Sequence, residues 1–189
     1  MSPADVTKKN QVEAMVEKVV KEFGRIDVLI NNVGMRQSVL PLEVDEDFWA
    51  ELMDVNLKSM HLCSQAVAKV MIEQKSGSII NVSAGTATTP VATESAAGAA
   101  KAGLNQLTRV FAVTLARYGI RVNAISPGLT LTAQAEAGLG PQLVEKYTKS
   151  IPLGRAARPE DHVGPAIFLA SEAAAFVTGV IVPVTGGPA

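Results

Sequence analysis

A single lysine, Lys101, sits in the run ESAAGAAKAG at residues 94 to 103, where the only other ionisable side chain is Glu94. An amine among methyl groups can act as a base or a hydrogen-bond donor, and apolar surroundings favour its neutral form. The usual acid and base partners are scarce. His61 and His162 are far apart, with no ligand-type residue at metal-binding spacing, so both read as packing or solvated histidines and no metal site is expected. Cys63 is the only cysteine, which excludes an internal disulfide and a multi-cysteine metal site. Small residues and hydroxyls collect instead in four short segments: NNVG at 31 to 34, SAGT at 83 to 86, SPGLTLT at 126 to 132 and VTGG at 184 to 187. Each alone is an ordinary turn. Their chemistry depends on which elements carry them.

Each of these segments follows a short apolar run, and a helix-like pattern precedes each run. Val12, Met15, Val16, Val19, Val20 and Phe23 recur at helical spacing over residues 8 to 23, stop at Gly24, and are followed by IDVLIN. A long helix from about Asp45 to Met71 turns Phe48, Leu52, Leu57, Met60, Ala66, Val67 and Val70 inward before SIINVS. A third helix, from about Glu94 to Arg117, buries Ala100, Leu104, Leu107, Phe111 and Leu115 before IRVNAIS. Pro159 opens a fourth helix through Phe168 and Leu169, before VIVPV. Strands that are apolar without alternation are covered on both faces, so four such units predict an α/β domain with a parallel sheet layered by helices. Pro183 lacks an N–H and places the last strand at an edge or near its own end. The segment from Leu129 to Lys149 reads as the longest connection, a loop of the kind that covers a site. Ligands of parallel sheets bind beyond the carboxyl ends of the strands, where the four short segments fall.

Composition narrows the partners. The 189 residues are 48% hydrophobic, enough for one core, and a single domain over residues 1 to 189 is expected. Seventeen basic against eighteen acidic residues, with no long run of either sign, argue against nucleic acid. The polar start and the interruption of the most apolar stretch by Glu172, Gly179 and Pro183 argue against a signal peptide or a membrane span, and a cytoplasmic location is expected.

Taken in order, the segments resemble the short-chain dehydrogenase/reductase family along nearly the whole chain. DVTKKNQVEAMVEKVVKEFGRIDVLINNVG is similar to the family's helix and fourth strand with its Asn-Asn-Ala-Gly signature, with Val33 in the alanine place. MDVNLKS carries Asn56 where the family has its catalytic asparagine, GSIINVSAG resembles the strand of the catalytic serine, and KAGLNQLTR the helix of the catalytic lysine. IRVNAISPG and the segment from Arg158 to Gly187 resemble the cofactor-side loop and the family's C-terminal end. The resemblance implies the last four strands of a Rossmann-like sheet, alcohol/carbonyl interconversion with NAD or NADP, and a homo-oligomer paired through the long helices. It implies catalytic positions at Asn56 and Lys101, and cofactor positions at Asp5, Asn31, Gly34, Lys101, Pro127, Gly128 and Thr132.

Two departures stand out against that family. Its glycine-rich Thr-Gly-x-x-x-Gly-x-Gly turn, which holds the cofactor pyrophosphate at a helix N-terminus, is not found in these residues, and Asp5 and Thr7 already match the Asp-x-Thr after its third strand. The expectation is a truncated member with weak or no cofactor binding and an uncovered apolar edge on the IDVLIN strand. The family's tyrosine lies four residues before the lysine and its serine thirteen before the tyrosine, which here gives Ala97 and Ala84. Ser83 and Ser95 are the nearest hydroxyls, each out of position. A methyl group cannot exchange a proton, and a positioned acid or base contributes ~10²- to 10⁴-fold in rate. The chain is therefore expected to be inactive or severely impaired in hydride transfer. Two alternatives remain: a binding or assembly module, and a cofactor-free enzyme that uses the pocket around Lys101 for a small-molecule ligand. A mis-set start or engineered alanines would produce the same sequence.

Overall fold

The computed structural model describes residues 3–188, with the side chains of residues 134, 136–139 and 141 excepted. The first apolar periodicity forms α1 (Lys9–Phe23), which ends where Gly24 donates its N–H to Val20 O. Strand β1 (Val28–Asn31) follows. Asp45 then caps α2 (Glu46–Met53) by accepting the N–H of Phe48. The expected long second helix is present but interrupted. A π-helical turn, Asp54–Lys58, separates α2 from α3 (Ser59–Gln74), and Asn56 is buried within it. Such a turn adds a residue to the helical repeat and is frequent at functional sites.

Strand β2 (Gly77–Val82) leads to α4 (Ser95–Leu115), and β3 (Ile120–Pro127) leads to α5 (Ala133–Ser150). The last pair is α6 (Val163–Ala170), preceded by a 3₁₀ turn at Pro159–His162, and β4 (Ile181–Val184). The segment expected to be a loop over residues 129 to 149 is largely helix α5. Thr132 caps it by accepting the N–H of Ala135, and the chain breaks at Gly140, where φ is +70°. That break, followed by Pro141, obscures the helical pattern in the sequence.

The sheet order is β1-β2-β3-β4, and all three pairings are parallel. Strand β4 is an edge strand, as Pro183 requires. On one face α1, α3 and α4 bury Val16, Val67, Met71, Ala112 and Leu115 against Ile79, Ile120 and Val122. On the other, Leu169 of α6 and Ala174 pack on Ile80 and Ile125. Cover on this second face does not reach β1: Ile80 is fully buried while its neighbour in the ladder, Ile30, is 50% exposed. Among the described residues β1 has a strand partner on one side only, so its outer edge is open and apolar.

Candidate active site

The parallel strands all end on one side, and the four short segments meet there. Met35, just past β1, holds Asn56 by both ends of its amide. The Met35 N–H donates to Asn56 Oδ1 at 3.1 Å, and Asn56 Nδ2 donates to Met35 O at 2.9 Å. The π turn brings that amide into place, and its side chain is buried. A Cβ on exposed Gly34 would lie 3.3 Å from Asn56 Oδ1 and 3.8 Å from Lys101 Nζ, so β1, the π turn and α4 converge at that glycine. Lys101 Nζ in turn donates to Val82 O at the end of β2, at 2.8 Å. Gly85 approaches Pro127 O, and Gly128 lies so close to Thr185 that a Cβ would meet Thr185 Cα at 3.0 Å. The Gly128 N–H donates to Val184 O. Asn56, Gly34, Lys101, Pro127 and Gly128 thus line one continuous edge of the sheet.

The remaining expected positions serve other roles in the fold. Asn31 points inward, where Nδ2 donates to Ser64 Oγ at 3.0 Å and to Asn81 Oδ1 at 2.8 Å; Asn81 Nδ2 donates onward to Thr108 Oγ1. Thr132 is engaged as the cap of α5. Asp5 is exposed, and its carboxylate accepts the hydroxyl and the N–H of Thr7, which hold its pKa below the usual range. Among the described residues no hydrogen bond links Asp5, Asn31 or Thr132 to Lys101.

Around the lysine the chemistry is sparse. Ala97 is 6% exposed and packs with Ala96, Leu52, Met35 and Phe48. Ser83 is buried with no hydrogen-bond partner for its hydroxyl among the described residues, and Ser95 Oγ accepts from Gln37 Nε2. Burial of Lys101 favours its neutral amine and lowers its pKa to about 8. Glu94, the nearest carboxylate in the sequence, is 3.9 Å from Arg36. No group of three or more potential metal ligands occurs among the described residues.

Gln37 has a part that sequence reasoning did not assign. It is fully buried, its Oε1 accepts the N–H groups of Ala96 and Ala97, and its Nε2 reaches Val39 O and Ser95 Oγ. It therefore satisfies otherwise unpaired donors in the first turn of α4 from a distant loop. The stretch MRQSVL has no periodicity or turn signature that would have marked it. A cavity of about 310 Å³ opens beside the same turn, with Thr86, Glu94, Ser95 and Gly98 in its wall.

This arrangement, with ligand-side loops at the carboxyl edge of a parallel sheet and a lysine and asparagine facing them, is shared with known proteins. Residues 1–188 match the family model described as enoyl-(acyl carrier protein) reductase. The 3-oxoacyl-[acyl-carrier-protein] reductase FabG of Thermotoga maritima is 40% identical over 185 residues, 97% of this chain and 74% of the relative. The cis-4-hydroxycyclohexanecarboxylate dehydrogenase of Sinomonas cyclohexanicum is 40% identical over 184 residues, with coverage of 97% and 74%. Among solved structures, levodione reductase superposes with a TM-score of 0.94 at 33% identity, over 97% of this chain and 74% of that one. NAD+-bound xylitol dehydrogenase gives 0.93 at 30%, over 97% and 77%. The chain belongs to the short-chain dehydrogenase/reductase family, whose members are NAD(P)-dependent oxidoreductases. No helix among the described residues is long and apolar enough to cross a membrane.

Proposed function

We propose that this polypeptide keeps the scaffold and two supporting residues of an NAD(P)-dependent alcohol/carbonyl oxidoreductase but is inactive or severely impaired in hydride transfer. One observation carries the reading: Lys101 hydrogen-bonds to a backbone carbonyl, while the positions that match the family's acid and its orienting serine are the methyl groups of Ala97 and Ala84. Lysine and asparagine support an acid; without one, no group at residue 97 can give a proton to the carbonyl oxygen or take one from the alcohol.

The residues fit a nicotinamide cofactor in part. Exposed Gly34 leaves open backbone beside Lys101, whose other N–H groups could hold ribose hydroxyls. When bound, that cofactor would supply or accept hydride. The 189 residues contain no glycine-rich pyrophosphate turn, so weak binding of NADH and NADPH is proposed, in the cytoplasm, where the Cys63 thiol stays reduced. A second reading, that the chain also serves in a homo-oligomeric assembly, is supported by the exposed Val110 and Val113 of α4, 50% and 82% accessible. Sedimentation of a monodisperse monomer would remove this second reading.

Fluorescence titration with NADH and NADPH, followed by nicotinamide absorbance in the presence of 3-oxoacyl thioesters, cyclic ketones and sugars, tests the main proposal. Weak or no binding and background turnover are expected. Micromolar binding would overturn the cofactor part, and turnover that Lys101→Met abolishes would overturn the proposal as a whole.

A further inference from the structure

We propose that the Lys101 amine is a nucleophile that condenses with small apolar aldehydes to form imines, without nicotinamide. Its surroundings differ from those of an ordinary buried lysine, which is held by a carboxylate. Among the described residues no carboxylate lies within 4.0 Å of Lys101, and its one acceptor is the neutral Val82 O. The amine is nevertheless close to solvent, since a Cβ on exposed Gly34 would be 3.8 Å from Nζ. The apolar cluster of Ala97, Leu52, Met35 and Phe48 lies one helical turn away along α4 and suits an alkyl substituent. This inference rests on the reading above, in which no phenol at residue 97 serves Lys101.

In the reaction the neutral amine attacks the aldehyde carbon. The C–N bond forms as the carbonyl π pair moves to oxygen, and water carries a proton from nitrogen to that oxygen. The carbinolamine then loses its hydroxyl as water with a proton from solvent, leaving C=N. One amine and one aldehyde give one imine and one water, with no oxidation or reduction. The step requires free amine. With its pKa lowered from 10.5 to about 8, Lys101 carries about 300-fold more neutral amine at pH 7 than an unperturbed lysine.

The test is to incubate the protein at pH 7 with butanal and sodium cyanoborohydride, without nicotinamide, and to follow butylation by peptide mass mapping. Lys101 is expected to be butylated roughly tenfold or more faster than exposed lysines such as Lys21 and Lys69, the N-terminal amine being mapped separately because its ordinary pKa is also about 8. Lys101→Met should lose this fast phase alone. Labelling of Lys101 no faster than that of Lys21 and Lys69 in folded wild-type protein would overturn the proposal, whether or not the variant folds. Because the reaction contains no nicotinamide, a failure here leaves the hydride-transfer reading untouched, and nicotinamide turnover would sink that reading while leaving the labelling result standing.

Discussion

Two polar groups on α4, two turns apart, face the same strand and are treated in opposite ways. Thr108 belongs to a closed network: its hydroxyl accepts from Asn81 Nδ2 and donates to Leu104 O, while Asn81 Oδ1 accepts from Asn31, which also reaches Ser64. Lys101 has three protons to donate and one acceptor, the carbonyl of Val82. The first group ties β1, β2, α3 and α4 together, and full satisfaction is what allows it to be buried. The second is underserved at the edge of the sheet, where a ligand can complete it. Burial of polar atoms alone thus does not mark a site; the shortfall of partners does.

The sharpest way to break this contrast is to open the closed network. Asn81→Ala strands the Asn31 amide and the Thr108 hydroxyl in the interior, and urea denaturation should show a loss of about 4 kcal/mol. The underserved side should respond to pH instead. The folded pKa of Lys101, about 8, lies below its unfolded value of 10.5, so between these the unfolded chain holds a proton that the folded chain does not. The cost of burying the ammonium is present in full below pH 8 and is relieved as pH rises to 10.5. From pH 7 to 10.5, the stability of wild type relative to Lys101→Met should therefore rise by about 3 kcal/mol, measured by parallel denaturation of the two proteins.

Gln37→Leu removes the side-chain cap of α4 and should cost about 2 kcal/mol, with faster hydrogen exchange at Ala96 and Ala97. At the small end stands an exposed lysine that has the carboxylate Lys101 lacks. Lys58 pairs with Asp54 at 2.7 Å in solvent, and Lys58→Ala should change stability by about 0.5 kcal/mol or less.

The helices and strands were legible because their apolar residues recur at the right periods, and Pro183 identified the edge strand. The π turn at Asn56 was not, since the repeat from Phe48 to Val70 reads through one inserted residue. Helix α5 was missed because Gly140 and Pro141 interrupt it and its apolar residues do not form a stripe. At the site, Lys101, Asn56 and Gly34 were legible from their motifs and do converge. The sequence placed Asn31 beside them, whereas strand alternation turns its amide into the interior with Asn81. Gln37 acts across 59 residues of chain, and no local pattern encodes such a contact.

The most direct measurement of the central claim, that Lys101 is a buried amine without an anionic partner, is its own titration. The protein labelled with 13C at the lysine ε carbons, with Lys101 assigned by its loss in Lys101→Met, can be followed by NMR from pH 6 to 11. The account expects one lysine to titrate near pH 8, set apart from the others. A Lys101 midpoint at or above the ordinary 10.5 would mean that an anion or solvent completes its shell, and would contradict the account.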